Sequence, residues 1–206
     1  MIVNADTLII LDFETTGLSP DMGDRAIEIG AVKIEDGEIT GRFQELMYPG
    51  RRVSSFIADY TSITNDMLVD AAPCEEVMHR FADFIQGYNL VAHNASFDKR
   101  FLDAELTRID RGYEGEFSCS LLVARRIFQD APSHKLGELI KYANIPSDGG
   151  FHRALFDSEM TTKLWLVMLD EMKSRYSLAT IPFQLVQKLT KTPKKSVDNF
   201  LRRYAN

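Results

Sequence analysis

The chain predicts an α/β fold: a mixed central sheet, opened by three antiparallel strands and flanked by helices. Three observations lead there. Apolar runs with strand-like alternation occupy residues 7–13, 26–34 and about 39–47. Asp36-Gly37 lies between the last two and forms a two-residue hairpin turn, which ties them antiparallel. From residue 73 onward helical spacing takes over around one short apolar strand, the alternation of a sheet covered by helices.

Each element has a local reason. Leu8-Ile9-Ile10-Leu11 is an apolar strand running into Asp12, and Phe13 should pack on the face opposite Asp12 and Glu14. "AIEIGAVKI" (26–34) is the second strand, and the third ends near Pro49-Gly50. Pro73 and Glu75-Glu76 start a helix in which Val77, Phe81, Phe84 and Ile85 share a face and which Gly87 ends. "NLVAHN" (89–94) is a short strand. Asn94 or Ser96 then caps a helix carrying Phe97, Phe101, Leu102, Leu106 and Ile109. "SLLVARRIF" and "HKLGELIKYA" read as two more helices, "SDGG" (147–150) as a loop, and a long helix runs from about Arg153 to Met172. Two amphipathic pieces follow, split at Thr192-Pro193. The expected division is a main domain over 1–173 and a basic helical extension over 174–206.

Composition narrows the class. The chain has 206 residues, 45% hydrophobic and 26% charged, an ordinary globular balance that argues against disorder. Cys74 and Cys119 are its only cysteines; a reducing compartment is expected and a disulfide is not. The first residues lack a basic n-region, and their apolar run is too short for a signal peptide. No stretch nears the ~18 apolar residues of a membrane span. A cytoplasmic protein without membrane partners is the expectation. Net charge is −6, yet residues 183–206 hold six basic side chains against Asp198 alone. Such a tail attracts polyanions, while an acidic body can meet phosphates through divalent cations. There is no internal repeat and no GxxxxGK[ST] or GxGxxG phosphate loop.

The chemistry begins at "LDFETTG" (11–17). In a strand Asp12 and Glu14 point to one face, so the two carboxylates sit side by side and repel unless a cation intervenes. An ion pair and a metal site are both open from this stretch alone. Asp98, in "HNASFD" (93–98), falls in the first turn of a helix that begins where a buried strand ends. Asp157, in "HRALFD" (152–157), opens the long helix, with His152 just after Gly149-Gly150. Either aspartate alone could merely favour the positive end of its helix. Together, four carboxylates could converge on two divalent cations, while one histidine stays free to accept a proton. Oxygen ligands suit Mg²⁺ or Mn²⁺. Zinc is disfavoured, because Cys74, Cys119, His79, His93 and His134 have no zinc-ligand spacing.

"DFETTGL", "HNASFD" and "HRALFD" resemble, in order and spacing, the three motifs of the DEDDh 3′→5′ exonucleases. The likeness covers about residues 6–172 and is greatest to the proofreading epsilon subunit of bacterial DNA polymerase III and its relatives. It implies a ribonuclease H-like fold, two Mg²⁺ or Mn²⁺ ions and release of nucleoside monophosphates. Asp12 would bridge both ions, Glu14 and Asp157 would complete the tighter site, and Asp98 would support the second through water. His152 would be the general base. The turn from Phe13 to Leu18 would approach the terminal nucleotide, with Thr15 or Thr16 near its 3′-hydroxyl. Leu18 and Ile63 would pack on terminal bases. Phe101 would stack on a base or lie in the core, and Asn94 would touch substrate or only cap its helix. Family members often carry Gly where this chain has Ser62, which leaves the detailed fit of the terminal nucleotide open.

DNA 3′ ends, single-stranded or frayed, are the expected substrate, in proofreading or repair and with a DNA polymerase catalytic subunit as a candidate partner. RNA 3′-end trimming is the alternative, since the same five residues serve RNA-processing members. A non-catalytic subunit that binds nucleic acid or polymerase is the alternative of another class. It is disfavoured because no ligand position is lost.

Overall fold

The computed structural model describes residues 4–150 and 152–204. Its sheet has the order β4-β3-β2-β1-β5-β6, formed by β1 (Leu8–Thr15), β2 (Ala26–Glu35), β3 (Glu38–Tyr48), β4 (Ala72–Pro73), β5 (Leu90–Ala92) and β6 (Phe117–Cys119). The first three strands pair antiparallel, whereas β5 runs parallel to β1 and β6 parallel to β5. This is the expected mixed sheet. The β2–β3 hairpin turns at Asp36 and Gly37, both at positive φ (51° and 83°). That geometry matches the strand twist and explains the Asp-Gly pair.

The helices are α1 (Ser55–Thr61), α2 (Asn65–Val69), α3 (Cys74–Phe84), α4 (Ser96–Arg108), α5 (Ser120–Ile127), α6 (Leu136–Tyr142), α7 (Ala154–Tyr176), α8 (Phe183–Lys191) and α9 (Val197–Arg202). The alternation along β1 separates two cores. Leu8 and Ile10 face α5, α7 and the C-terminal helices in one core; Ile9, Leu11 and Phe13 face α3 and α4 in the other. Phe13 is buried there, its ring edge-on to Phe81.

Sequence reading missed α1 and α2, which are short and pack on a small core of Ile27, Val53, Ile63 and Leu68. It also missed β6, whose three residues offer too little alternation to register. The capping role expected of Asn94 or Ser96 is not realised. Ala95 holds the N-cap position of α4 with no side-chain cap, and Asn94 turns the chain at φ 71°. Ser62 ends α1 in the left-handed region at φ 60°. A glycine would adopt that conformation without the ~1 kcal/mol strain a Cβ brings, so the departure at Ser62 is a local backbone cost.

Beyond residue 174, α8 and α9 bury Phe183, Leu185, Val186, Leu189, Val197 and Leu201 in the same core as Leu8, Ile10 and Trp165. The Trp165 indole N–H donates to the Ala5 carbonyl at 2.7 Å, and the Ala5 N–H donates to the Ile181 carbonyl at 2.7 Å. The chain's start, its long helix and the segment ahead of α8 are thereby joined.

One close approach sets the geometry of the site. Gly30 on β2 pairs with Asp12. A Cβ on Gly30 would lie 2.1 Å from the backbone nitrogen of Leu155, in the first turn of α7. The Ser158 hydroxyl donates to the Gly30 carbonyl at 2.9 Å. Only glycine lets α7 lie this close to the strand beside Asp12. Gly30→Ala should therefore destabilise the protein by about 3 kcal/mol, because backbone cannot yield as a side chain can. Urea denaturation reads this directly, and an unchanged midpoint would contradict the close-contact account.

Candidate metal centre

Asp12 and Glu14 extend the Leu8–Ile10 face of β1, so both point toward α7. Asp157, in the first turn of α7, meets them: one carboxylate oxygen from each of the three lies within 4.8 Å of the others. Asp98 arrives from the opposite side, at the start of α4. It is buried and accepts a hydrogen bond from the Phe13 N–H at 3.1 Å. The three sequence motifs thus converge around the C-terminal end of β1.

The cluster is electrostatically strained without a cation. Burial, reinforced by Asp98, Asp157, Glu14 and Glu28, holds the Asp12 carboxyl well above its ordinary range. Burial and the neighbouring acids push Glu14 up to about 8. Burial raises Asp98 to about 7 against the hydrogen bond from Phe13, and raises Asp157 to about 6 against the one from the His152 N–H. Asp157 Oδ2 accepts that N–H at 3.0 Å, but its Oδ1 is buried with no hydrogen-bond partner. An orphaned carboxylate oxygen beside two further acids is the donor set that a hard divalent cation fits.

His152 lies on the loop before α7, exposed and at φ 69°. Its backbone is fixed by Asp157, and its ring packs on Tyr60 with centroids 4.2 Å apart. His93, the other histidine lining the cleft, differs in kind. Its ring nitrogens contact Ser120 Oγ at 2.9 Å and the His134 carbonyl at 3.1 Å, and burial depresses its pKa to about 4. It is a neutral bracing group.

A cleft of about 660 Å³ opens over the cluster. Thr15, Thr16, Leu18 and Asn94 line it. The two threonines also brace their own turn. Thr15 donates to the Gly17 carbonyl at 2.6 Å, and the Thr16 hydroxyl oxygen accepts from Arg51 at 2.8 Å and from the Arg25 N–H at 3.1 Å. One open alternative is decided, for Phe101, and one expectation is corrected, for Ile63. Phe101 is fully buried in the α3–α4 core and does not line the cleft; Phe97, one turn earlier on α4, does. Ile63 is likewise fully buried, holding α1 and α2 to the sheet. Phe56 and Tyr60 of α1 join the lining and were not foreseen.

Two buried glutamates were also missed. Glu28 on β2 is fully buried and paired with Arg153 at 2.8 Å, and it accepts the Ala154 N–H at 3.0 Å. Glu105 on α4 is buried, paired with Arg25 at 2.8 Å, and accepts the Ala26 N–H at 3.2 Å. The only signal for Glu28 in the sequence is a charge set between Ile27 and Ile29 in a largely apolar strand.

The carboxyls of the cluster titrate higher in the folded chain than in the unfolded one. Their contribution to metal-free stability is therefore whole below about pH 4 and is lost as pH rises through about 6 to 8. The melting temperature in EDTA should fall between pH 5 and pH 8 by at least about 5 °C. Millimolar Mn²⁺ or Mg²⁺ should restore more of it at pH 8 than at pH 5, and Asp12→Asn should raise it in EDTA at pH 8. A pH-independent melt in EDTA would refute the strained cluster.

Comparison with known proteins agrees with this geometry. The family model described as "Exonuclease" (RNase_T) matches residues 9–165. Over 168 residues the chain is 38% identical to the PolC-type DNA polymerase III of Staphylococcus aureus, covering 81% of this chain and 12% of that protein. It is 35% identical over 165 residues to the PolC-type enzyme of Caldanaerobacter subterraneus, covering 80% of this chain and again 12% of the other. The chain thus spans only a small part of the length of these relatives. Among solved structures, Exonuclease X in complex with 5′ overhanging duplex DNA superposes with a TM-score of 0.68 at 27% identity, covering 89% of this chain and 99% of that one. The nuclease domain of 3′hExo, a DEDDh family member bound to rAMP, shares the fold at a TM-score of 0.69 and 22% identity, covering 81% and 92%. With its mixed sheet, ribonuclease H-like neighbours and a family match spanning all three acidic motifs, the chain belongs to the RNase T exonuclease family.

Proposed function

We propose that the chain is a DEDDh-type 3′→5′ exonuclease that releases nucleoside monophosphates from single-stranded or frayed DNA ends. The observation that carries this is the meeting of Asp12, Glu14 and Asp157 within 4.8 Å on the floor of an open cleft. Asp98 and His152 stand at its sides.

Asp12, Glu14, Asp98 and Asp157 would hold two divalent cations, Mg²⁺ or Mn²⁺. When bound, these supply charge neutralisation at the phosphodiester and acidify water. The chain's own groups do the rest. The turn from Phe13 to Leu18 receives the 3′-terminal nucleotide, and Leu18, Phe56 and Phe97 offer apolar surface to its base without reading sequence. His152, exposed and outside the carboxylate set, accepts the proton of the attacking water. The water oxygen bonds to phosphorus and the bond to the preceding 3′-oxygen breaks; that oxygen takes a proton from solvent, leaving a nucleoside 5′-monophosphate and a new 3′-hydroxyl end. The basic segment within 174–206 adds attraction to the strand. The PolC-type relatives favour work beside a polymerase catalytic subunit, in proofreading.

Degradation of 5′-labelled single-stranded DNA, duplex DNA and RNA of matched sequence, with Mg²⁺ or Mn²⁺, tests the activity. Asp12→Ala should lower the rate at least ~10³-fold, and His152→Ala about 10²- to 10³-fold with little loss of cation affinity. Activity surviving Asp12→Ala would overturn the reaction assignment, and faster loss of RNA would overturn the DNA assignment. Gel filtration with a polymerase catalytic subunit should show co-elution at micromolar concentration; clean separation would remove the proofreading partnership.

A further inference from the structure

His152 is held at two points. Its backbone N–H is bonded to Asp157, and its ring meets the Tyr60 ring at 4.2 Å and an interplanar angle of 39°. Tyr60 is backed by Phe56, one turn earlier on α1, with centroids 6.1 Å apart and rings 10° from parallel. A three-ring column therefore runs from the outer face of α1 into the cleft. Residues on one helix face four apart make this arrangement natural.

The base of the column is firm. Ser54 Oγ accepts the Ile57 N–H at 3.3 Å at the start of α1, and the Thr61 hydroxyl donates to the Ile57 carbonyl at 2.8 Å at its end. Asn65 clamps the segment before α1, accepting the Val53 N–H at 2.8 Å and donating to the Val53 carbonyl at 3.1 Å. Ile63 and Leu68 then fasten α1 and α2 to the sheet. Among its described residues, the loop that carries His152 is held by the bond from the His152 N–H to Asp157 and by the bond from the Gly149 N–H to the Ser147 hydroxyl, and Gly149 sits at φ 85°. Both Phe56 and Tyr60 remain largely exposed, at 72% and 52%. Folding alone does not require two large rings to be left in water here. Burial and the facing acids Glu14, Asp157 and Asp12 raise the Tyr60 phenol, so the ring stays neutral.

We propose that Tyr60, backed by Phe56, is a positioning residue that fixes the His152 imidazole over the acid cluster by ring stacking. The proposal rests on His152 being the base. It assigns α1 a part in the reaction step and not only in forming the cleft wall. The stack acts through the ring, so the phenol oxygen is dispensable.

The test compares full-length wild type, Tyr60→Phe, Tyr60→Ala, His152→Ala and the double alanine variant on single-stranded DNA with Mn²⁺. Tyr60→Phe should stay within about twofold of wild type. Tyr60→Ala should lower kcat about tenfold, with KM changed less than about threefold. In the His152→Ala background, Tyr60→Ala should cost less than about twofold. A second readout needs neither cation nor turnover. The His152 ring-proton NMR signals, assigned by their loss in His152→Ala, should be ring-current shifted in wild type and Tyr60→Phe, and should lose that shift in Tyr60→Ala. Equal costs of Tyr60→Ala with and without His152, a loss confined to KM, or unmoved ring signals would each overturn the stack. A His152→Ala rate equal to wild type strikes the base assignment itself, whereas a wild-type Tyr60→Ala beside a crippled His152→Ala strikes only the stack.

Discussion

The site depends on two buried glutamates that fasten its two acid-bearing helices to one region of the chain. Glu28 ties the start of α7 to β2 through Arg153 and the Ala154 N–H. Glu105 ties α4 to the start of β2 through Arg25 and the Ala26 N–H. Each carboxylate thus receives a charged partner and a backbone donor, which a buried ion needs to be tolerated. Asp157 rides on one clamped helix and Asp98 on the other. The value of these pairs lies in geometry: a buried pair adds little net stability, but losing one partner strands a charge in the interior.

Against this frame the cluster itself is deliberately unbalanced. Asp12, Glu14, Asp98 and Asp157 are brought together with no Lys or Arg side chain among the described residues lining their cleft. Arg153 lies near, but it is committed to Glu28. The structure thus separates two kinds of acid. Glu28 and Glu105 are neutralised internally and hold position. The other four are left strained, and Asp157 Oδ1 is left unsatisfied, where a divalent cation would relieve both.

The histidine is handled differently again. A base must reach water and substrate, so it cannot be buried among clamps. His152 lies on a loop at positive φ, pinned by its own N–H and by the ring of Tyr60. The carboxylates are held by rigid sheet and helix, while the histidine proposed as proton acceptor is held by an exposed contact.

By itself the sequence determined the β1 alternation, the Asp36-Gly37 hairpin and the three acidic motifs, because each rests on neighbours within a few residues. Period two put Asp12 and Glu14 on one face and Phe13 on the other. The same local logic could not choose between Phe97 and Phe101, one helical turn apart; the packing of α4 on the sheet sent Phe101 inward and left Phe97 on the cleft. Nor could it place α1, whose few apolar residues make no strong period and whose stability comes from Ile27, Val53 and Leu68 elsewhere. Glu28 and Arg153 are 125 positions apart, and Arg25 and Glu105 are 80 apart. Only tertiary structure decided those pairings, because burial, not local spacing, determines which charges must find each other.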